Sequence, residues 1–226
     1  MSSQLVWLIT GTTSGLGRDL ALEALKRGDK VIATGRARSV AKLADLKEKG
    51  ADVLELDVTA PLEDLHEIAK KDLSEDGGAL NGICVNNVTR MFMIYMQVGA
   101  LCGTLCHYQV GTSRSICIDF GYFRTAFLAA DQRAPQVARI PDYQETSQRA
   151  EAALQAYNGK QPGDPLKGVA VIADVVKGEG GAAGKPFPRS LALGTDCYTG
   201  AKQSSLDAIE RLEAWKEVSF STDYED

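Results

Sequence analysis

The feature that most constrains the fold of this chain is a short apolar strand that runs through a glycine-rich turn into a helix. Residues 5–9 are continuously apolar, as in a strand that is covered on both faces. The turn at residues 10–17 reads TGTTSGLG, and a helical stripe that includes Leu20 and Ala24 follows it until Gly28. A strand, a tight turn and a helix N-terminus in this order predict a site for the pyrophosphate of a dinucleotide.

Three glycines in the turn have separate physical roles. Gly11 allows the chain to leave the strand tightly, and Gly15 allows the backbone to approach a phosphate without a Cβ in the way. Gly17 allows the helix to pack close to the sheet. Ser14 offers a hydroxyl to the phosphate, and Leu16 completes the predicted cofactor-binding turn. The alternative, a plain tight turn between strand and helix, leaves three glycines within seven residues without a purpose.

Strand and helix patterns alternate through the first half of the chain, which favours the α/β class. The sequence predicts a Rossmann-like, doubly wound parallel sheet with helices on both faces and a second half that is possibly incomplete. Predicted strands lie at residues 5–9, 30–34, 53–56, 82–85 and 115–118. A third helix is expected after Thr59, with Leu62, Leu65 and Ala69 directed inward.

The regular alternation is lost after Asn87. Residues 88–96 are compatible with a helix, and 98–115 show no clear period. Asp164 and Pro165 open a strong helix, and a last amphipathic helix is predicted at 204–218, with Trp215 in core packing. We expect one domain over 1–226: a cofactor half (4–87), a disrupted segment (88–115), a substrate or lid region (120–190) and a C-terminal tail with its helix (191–226).

The glycine turn resembles the TGxxxGxG signature of the classical short-chain dehydrogenase/reductases. The resemblance continues at Asp57, which matches the aspartate that meets the adenine, and at Asn86, which matches the start of the NNAG element beside the adenine ribose. Residues 120–125, FGYFRT, resemble the PG-x-x-x-T element, and this implies that Thr125 binds the nicotinamide carboxamide. The C-terminal tail resembles that of fungal-type members, which implies a role in fungal secondary metabolism. The family works by hydride transfer between a nicotinamide and an alcohol or carbonyl carbon.

The end of the second strand bears on the choice of cofactor. An acidic residue there binds the ribose 2′-OH of NAD, whereas a basic one accommodates the 2′-phosphate of NADP. This chain has Arg36 at that position and no Asp or Glu beside it, so NADP is favoured over NAD. The alternative is that Arg36 is a solvated loop charge.

Catalysis in this family requires a tyrosine, a lysine four residues later and a substrate-orienting serine, all between the NNAG and PG-x-x-x-T elements. In this chain the segment 88–119 is too short for them, and we interpret it as shortened near Asn87 and again between residues 97 and 115. The pair Tyr198 and Lys202 has the catalytic spacing but lies after Thr125, which argues against that role. Tyr108 has no lysine four residues on. The catalytic residues therefore stay unassigned, with these three as weak candidates.

Composition limits the possible partners. A net charge of -5 gives no basic field for nucleic acid or an anionic membrane. The family resemblance implies a small-molecule substrate. The apolar segment 91–106 is shorter than the roughly 20 residues that span a bilayer. Five irregularly spaced cysteines favour a reducing, cytoplasmic location. Cys102, Cys106 and His107 lack a fourth ligand, so no metal is expected.

Three hypotheses follow from the sequence. The chain is an NADP-dependent oxidoreductase, a catalytically inactive protein that binds a dinucleotide or another protein, or a shortened product that lacks the Ser/Tyr/Lys segment. The third would expose apolar surface around residues 91–106 and unfold with low cooperativity. The oligomeric state stays open.

Overall fold

A seven-stranded sheet with helices packed against it forms the frame of the molecule. The computed structural model describes residues 4–72, 82–88, 91–97, 114–129 and 140–224. Its strands are Val6–Ile9 (β1), Lys30–Gly35 (β2), Asp52–Glu55 (β3), Gly82–Val88 (β4), Met91–Gln97 (β5), Arg114–Phe120 (β6) and Ser190–Leu193 (β7). The α-helices are Gly15–Lys26 (α1), Ala44–Glu48 (α2), Leu62–Asp72 (α3), Gln144–Tyr157 (α4), Pro165–Lys177 (α5), Thr195–Ala214 (α6) and Lys216–Phe220 (α7).

The strand order is β3-β2-β1-β4-β5-β6-β7, and this α/β architecture confirms the predicted Rossmann-like fold. Strands β1 to β4 pair in parallel, whereas β5 runs antiparallel to both β4 and β6. Only residues 89 and 90 join β4 to β5, and a parallel crossover needs a dozen or more residues, so this connection can only form a hairpin. The helix expected at 88–96 is wrong, because a short apolar run does not distinguish a buried helix from a strand.

The direction of β6 determines which edge of the sheet its carboxyl end reaches. Because β6 is antiparallel to β5, it points in the same direction as β4 and β1 again. The carboxyl end of β6 therefore lies at the same edge of the sheet as the carboxyl end of β1. Strand β7 continues this direction by pairing in parallel with β6.

The core lies between one face of the sheet and helices α1 and α5. Trp7 and Ile9 of β1 are completely buried, as are Ile116 and Ile118 of β6. Helix α5 contributes a buried apolar stripe, and Ile172 is its most enclosed member. Asp164 caps α5 as expected, because its carboxylate accepts from the backbone N–H groups of Leu166 and Lys167.

Two packing expectations are wrong. Leu62 on α3 is 48% exposed rather than directed inward, and Trp215 is 63% exposed rather than part of the core. The helix around 204–218 begins earlier than expected, at Thr195, and none of its residues is buried. Amphipathic spacing identified an apolar stripe here, but spacing alone does not show that another element covers it.

Two polar networks fix α5 to the first βαβ unit. Asp29, at the start of β2, is buried, and its carboxylate accepts from the backbone N–H of Leu5 at 3.1 Å and from Trp7 Nε1 at 3.0 Å. Lys177 Nζ at the end of α5 lies 2.9 Å from both carboxylate oxygens. Because the two charged side chains are almost fully enclosed, this ion pair is little screened by solvent.

Arg27 forms the second network. Its guanidinium donates to Glu23 on its own helix at 2.8 Å, and to Asp174 at 2.7 Å and Glu179 at 2.8 Å near the end of α5. It also donates to the carbonyl of Ala170 at 3.1 Å. Burial alone would lower the pKa of Arg27, but the hydrogen bonds that it donates to Glu23 and Asp174, with the charges of these carboxylates, outweigh burial and raise that pKa.

We predict that Lys177→Met lowers the free energy of unfolding by about 3–5 kcal/mol, because it leaves the Asp29 carboxylate buried without its cation. Urea denaturation measures the change. Lys26→Met is the matched control. The Lys26 side chain is 79% exposed, and its ion pair with Glu23 at 3.5 Å is screened by solvent, so the substitution should cost about 1 kcal/mol or less. Equal stabilities of the two variants would contradict the proposed role of the buried pair.

Candidate functional site

The candidate site lies at the carboxyl edge of the sheet. Strand β1 leads there into the glycine turn, β2 into Arg36 and β3 towards Asp57. Strand β6, whose direction matches β1, leads into residues 121–125 at the same edge. In open α/β sheets, ligands bind outside the carboxyl ends of the strands.

The glycine turn is held open by backbone conformation and hydrogen bonds. Gly11 and Gly15 have backbone φ angles of 67° and 61°, which residues with a Cβ rarely adopt. Thr12 is completely buried, and its hydroxyl donates to the carbonyl of Thr34 at 2.9 Å. This bond ties the middle of the turn to β2.

The N-terminus of α1 is not capped by the side chain at its capping position. Ser14 occupies the capping position in an extended conformation, and its side chain accepts no hydrogen bond from the helix. The first turn of α1 contains no acidic residue. Since the first N–H groups of a helix have no partner within it, an anion can accept hydrogen bonds here.

Arg36 and Asp57 mark the neighbouring strand ends. The carboxylate of Asp57 accepts from the backbone N–H of Thr59 at 3.0 Å and from the Thr59 hydroxyl at 2.7 Å. These two hydrogen bonds, with smaller contributions from Arg36 and Arg38, lower the pKa of Asp57. The Asp57 side chain is therefore ionised at neutral pH, and its two hydrogen bonds from Thr59 hold it in place.

The segment after β6 is fixed by backbone pairing. Arg124 N–H donates to the carbonyl of Gly163 at 2.8 Å, and its guanidinium donates to the carbonyl of Gln161 at 2.9 and 3.1 Å. The ring of Phe123 leaves no space for a Cβ at Gly163. The Tyr122 N–H donates to the Asp196 carboxylate at the start of α6, at 2.6 Å.

A cavity of about 1080 Å³ lies between these segments. Its volume is near the upper end of the roughly 300–1,000 Å³ of ligand pockets. One side consists of the glycine turn and Arg36, and the other of residues 120–128, part of α4 and the first turn of α6. The cavity thus joins the glycine turn to the segment that contains Thr125.

The structure brings together some of the predicted site residues. Those that line the cavity are Gly11, Ser14, Gly15, Leu16, Arg36 and Thr125. Gly17 is buried within α1, and Asp57 lies outside the lining, near Arg36. Asn86 is in β4 opposite Met93, and the structure does not describe its side chain.

The weak catalytic candidates are not in the cavity. Tyr198 is 60% exposed on α6, Lys202 is exposed one turn later, and neither contributes to the lining. Tyr108 lies outside the described residues, as do Cys102, Cys106 and His107. Among the residues that the structure describes, no lysine lines the cavity.

Tyr122, Tyr157 and Gln161 are among the cavity residues that the sequence analysis missed. Tyr122 and Tyr157 meet there edge to face, with ring centroids 5.4 Å apart. Gln161 lies beside them, 2% exposed, and its Oε1 has no hydrogen-bond partner among the described residues. Tyr122 lies within the FGYFRT element, which is a usable signal, whereas nothing in the sequence marks Tyr157 or Gln161.

Comparison with known proteins identifies the fold. The chain resembles the crystal structure of a short-chain dehydrogenase from Streptomyces avermitilis with a TM-score of 0.67 and 22% identity, over 99% of this chain and 100% of the other. Two other solved structures match less of the chain. A putative short-chain dehydrogenase from Pseudomonas syringae has a TM-score of 0.34 and 23% identity, over 39% of this chain and 38% of the other. A putative short-chain dehydrogenase from Shigella flexneri, complexed with NADP, has a TM-score of 0.32 and 23% identity, over 37% of each chain. No family model and no curated protein matches it. The fold is that of a short-chain dehydrogenase, and this likeness rests on the Streptomyces structure.

No helix within the described ranges is long and apolar enough to cross a membrane. The same part of the chain contains no group of three or more His, Cys, Asp or Glu side chains arranged to hold a metal ion.

Proposed function

We propose that this chain is a short-chain dehydrogenase/reductase that binds NADP(H) at the carboxyl edge of its sheet. The observation that carries the proposal is the uncapped N-terminus of α1, which opens through Gly11 and Gly15 into the cavity. A pyrophosphate would accept hydrogen bonds from its backbone N–H groups. Ser14 and Leu16 would flank it, and Gly17 would keep the helix close to the sheet.

The remaining cofactor contacts follow from position along the edge. Asp57 and Asn86 would lie at the adenosine end: Asp57 follows β3, which pairs with β2, and Asn86 lies near the carboxyl end of β4, which pairs with β1. Thr125 would meet the nicotinamide carboxamide, because it lies across the cavity on the segment after β6. When bound, the cofactor supplies a hydride donor or acceptor at its nicotinamide ring.

Arg36 is the residue that would select NADP over NAD. It lies at the end of β2, it is exposed, and it lines the cavity beside the glycine turn. A guanidinium in this place can form charge-assisted hydrogen bonds to a 2′-phosphate, which NAD lacks.

Arg36→Ala is expected to weaken NADPH binding about ten- to hundredfold and to leave NADH binding unchanged, because charged hydrogen bonds are lost only with NADPH. Fluorescence titration with each dinucleotide measures both affinities. Arg189→Ala, which removes an exposed arginine outside the cavity lining, is the control for the change of net charge. An equal loss for NADPH and NADH would assign Arg36 a structural role instead.

We infer that the reaction is hydride transfer between the nicotinamide and an alcohol or carbonyl carbon of a small molecule. Reduction of a carbonyl also needs a proton at the oxygen. Two phenols, Tyr122 and Tyr157, line the cavity, and Tyr157 is the more enclosed, since Tyr122 is 52% exposed. We assign proton transfer to Tyr157 and exclude Tyr198 because it lies outside the cavity. The tail resemblance supports a place in fungal secondary metabolism. The irregular spacing of the five cysteines supports a cytoplasmic location.

Tyr157→Phe is expected to lower turnover about 10²- to 10⁴-fold with unchanged NADPH affinity, because the proton donor is removed while the pyrophosphate site is intact. Tyr198→Phe should leave turnover unchanged. NADPH oxidation over a panel of aldehydes and ketones measures both. A loss of turnover in Tyr198→Phe, with binding intact, would place catalysis on α6 and contradict the assignment.

A second candidate function is dinucleotide binding without turnover. The absence of a lysine among the described cavity-lining residues favours it, because a tyrosine needs a cationic neighbour to act readily as an acid and base at neutral pH. Saturable NADPH binding without oxidation across the whole carbonyl panel would establish this function in place of the reductase.

A further inference from the structure

Helix α6 is attached to the rest of the described structure at its start. The Asp196 carboxylate accepts a hydrogen bond from the Tyr122 N–H at 2.6 Å, and the Cys197 thiol donates to a carbonyl of β6 at 3.4 Å. From residue 198 to residue 214 the helix is exposed, except that Ala208 is partly buried. Since most helical stability in proteins comes from the packing of an apolar face, this helix lacks its main source of stability.

The exposed part of α6 has an apolar stripe on one side. Leu206, Ile209 and Leu212 are 51%, 58% and 71% exposed. Residues three or four positions apart lie on the same side of a helix, so the small side chains of Ala201 and Ser205 continue this stripe towards the start of α6. The stripe therefore has small side chains in its first half and large ones in its second half.

Two residues of opposite charge lie beside this stripe. Lys202 and Glu213 are both exposed, and neither has an ion-pair partner among the described residues. The eleven positions between them correspond to about three helical turns, so both side chains lie on the same side of α6. They are about 16 Å apart along the axis and cannot pair with each other within one helix.

An antiparallel pair of α6 helices would satisfy both charges. With a two-fold axis between Asp207 and Ala208, Lys202 of each copy lies level with Glu213 of the other, so the interface contains this ion pair twice. A parallel pair in register would instead place Lys202 against Lys202 and Glu213 against Glu213, and like charges repel. The charges therefore favour the antiparallel arrangement.

The same antiparallel register also matches the sizes of the side chains. Leu206 of each copy lies level with Ile209 of the other, next to the two-fold axis. Leu212 lies between the levels of Ala201 and Ser205 of the other copy, whose small side chains leave room for it. One register thus places opposite charges together and large side chains against small ones.

We propose that this side of α6 is an interface between two copies of the chain, which pair antiparallel with Lys202 of each copy bound to Glu213 of the other. The overlap of residues 201–214 is about 20 Å long, so the interface is small and the dimer should dissociate at micromolar concentration. The overlapping residues lie outside the cavity lining, so dimerisation does not require a bound dinucleotide. The first turn of α6 does line the cavity, and pairing would hold this part of its wall in place.

Sedimentation velocity of the full chain over a concentration series tests the interface. The wild-type chain should show a monomer–dimer equilibrium. Lys202→Glu and Glu213→Lys should each weaken the dimer about tenfold, because each substitution creates two like-charged pairs in one interface. The double variant with both substitutions should regain the wild-type dissociation constant, because it exchanges the two charges.

Arg211→Glu is the matched control, because it makes the same change of net charge as Lys202→Glu. Arg211 is exposed and lies nine positions after Lys202, about two and a half turns, so it faces the opposite side of α6. This variant should dimerise like the wild type. Recovery in the double variant excludes a folding defect as the cause of the losses. A monomeric wild type at every concentration, equal effects of Lys202→Glu and Arg211→Glu, or no recovery in the double variant would each overturn the proposed pairing.

Discussion

The carboxylate of Asp29 accepts hydrogen bonds from Leu5 and Trp7, at and next to β1. It also forms an ion pair with Lys177 at the far end of α5. Arg27, two residues earlier, binds the same end of α5 through Asp174 and Glu179. Together these contacts attach a helix from late in the chain to the first βαβ unit. The attachment joins residues 5–29 to α5, and it involves no residue of the segment between β4 and β6.

The strand directions explain how an antiparallel strand in the middle of the sheet still allows residues 121–125 to reach the site. The hairpin of β4 and β5 inverts one strand, and β6 inverts the direction again. Residues 121–125 consequently reach the edge at which the glycine turn opens. The Arg27 and Asp29 networks hold α5 against the first βαβ unit, and the segment that contains Gln161 directly precedes α5. Among its described lining residues the cavity has tyrosines but no lysine.

The extent to which sequence predicted this structure depended on the range of the interactions. The glycine turn, the strands up to β4 and the buried stripe of α5 follow from local rules of conformation and periodicity, and the structure confirms them. Strand β5 was missed because its apolar run MFMIYMQ fits a helix equally well, and its partners decide between the two. Trp215 was misplaced because amphipathic spacing cannot show whether a covering partner exists. The Asp29–Lys177 ion pair and the hydrogen bonds from Arg124 to the Gln161 carbonyl join residues far apart in sequence. No local pattern in the sequence marks such contacts.

The central claim is that the exposed backbone N–H groups at the start of α1 bind the pyrophosphate of NADP(H). Amide hydrogen exchange over residues 11–17 of the full chain tests it most directly, in the presence and absence of saturating NADPH. Hydrogen bonding to phosphate predicts slower exchange at this turn, with no comparable change on the exposed helix α6. Binding of NADPH that leaves exchange at residues 11–17 unaltered would contradict the claim and would place the cofactor elsewhere on the molecule.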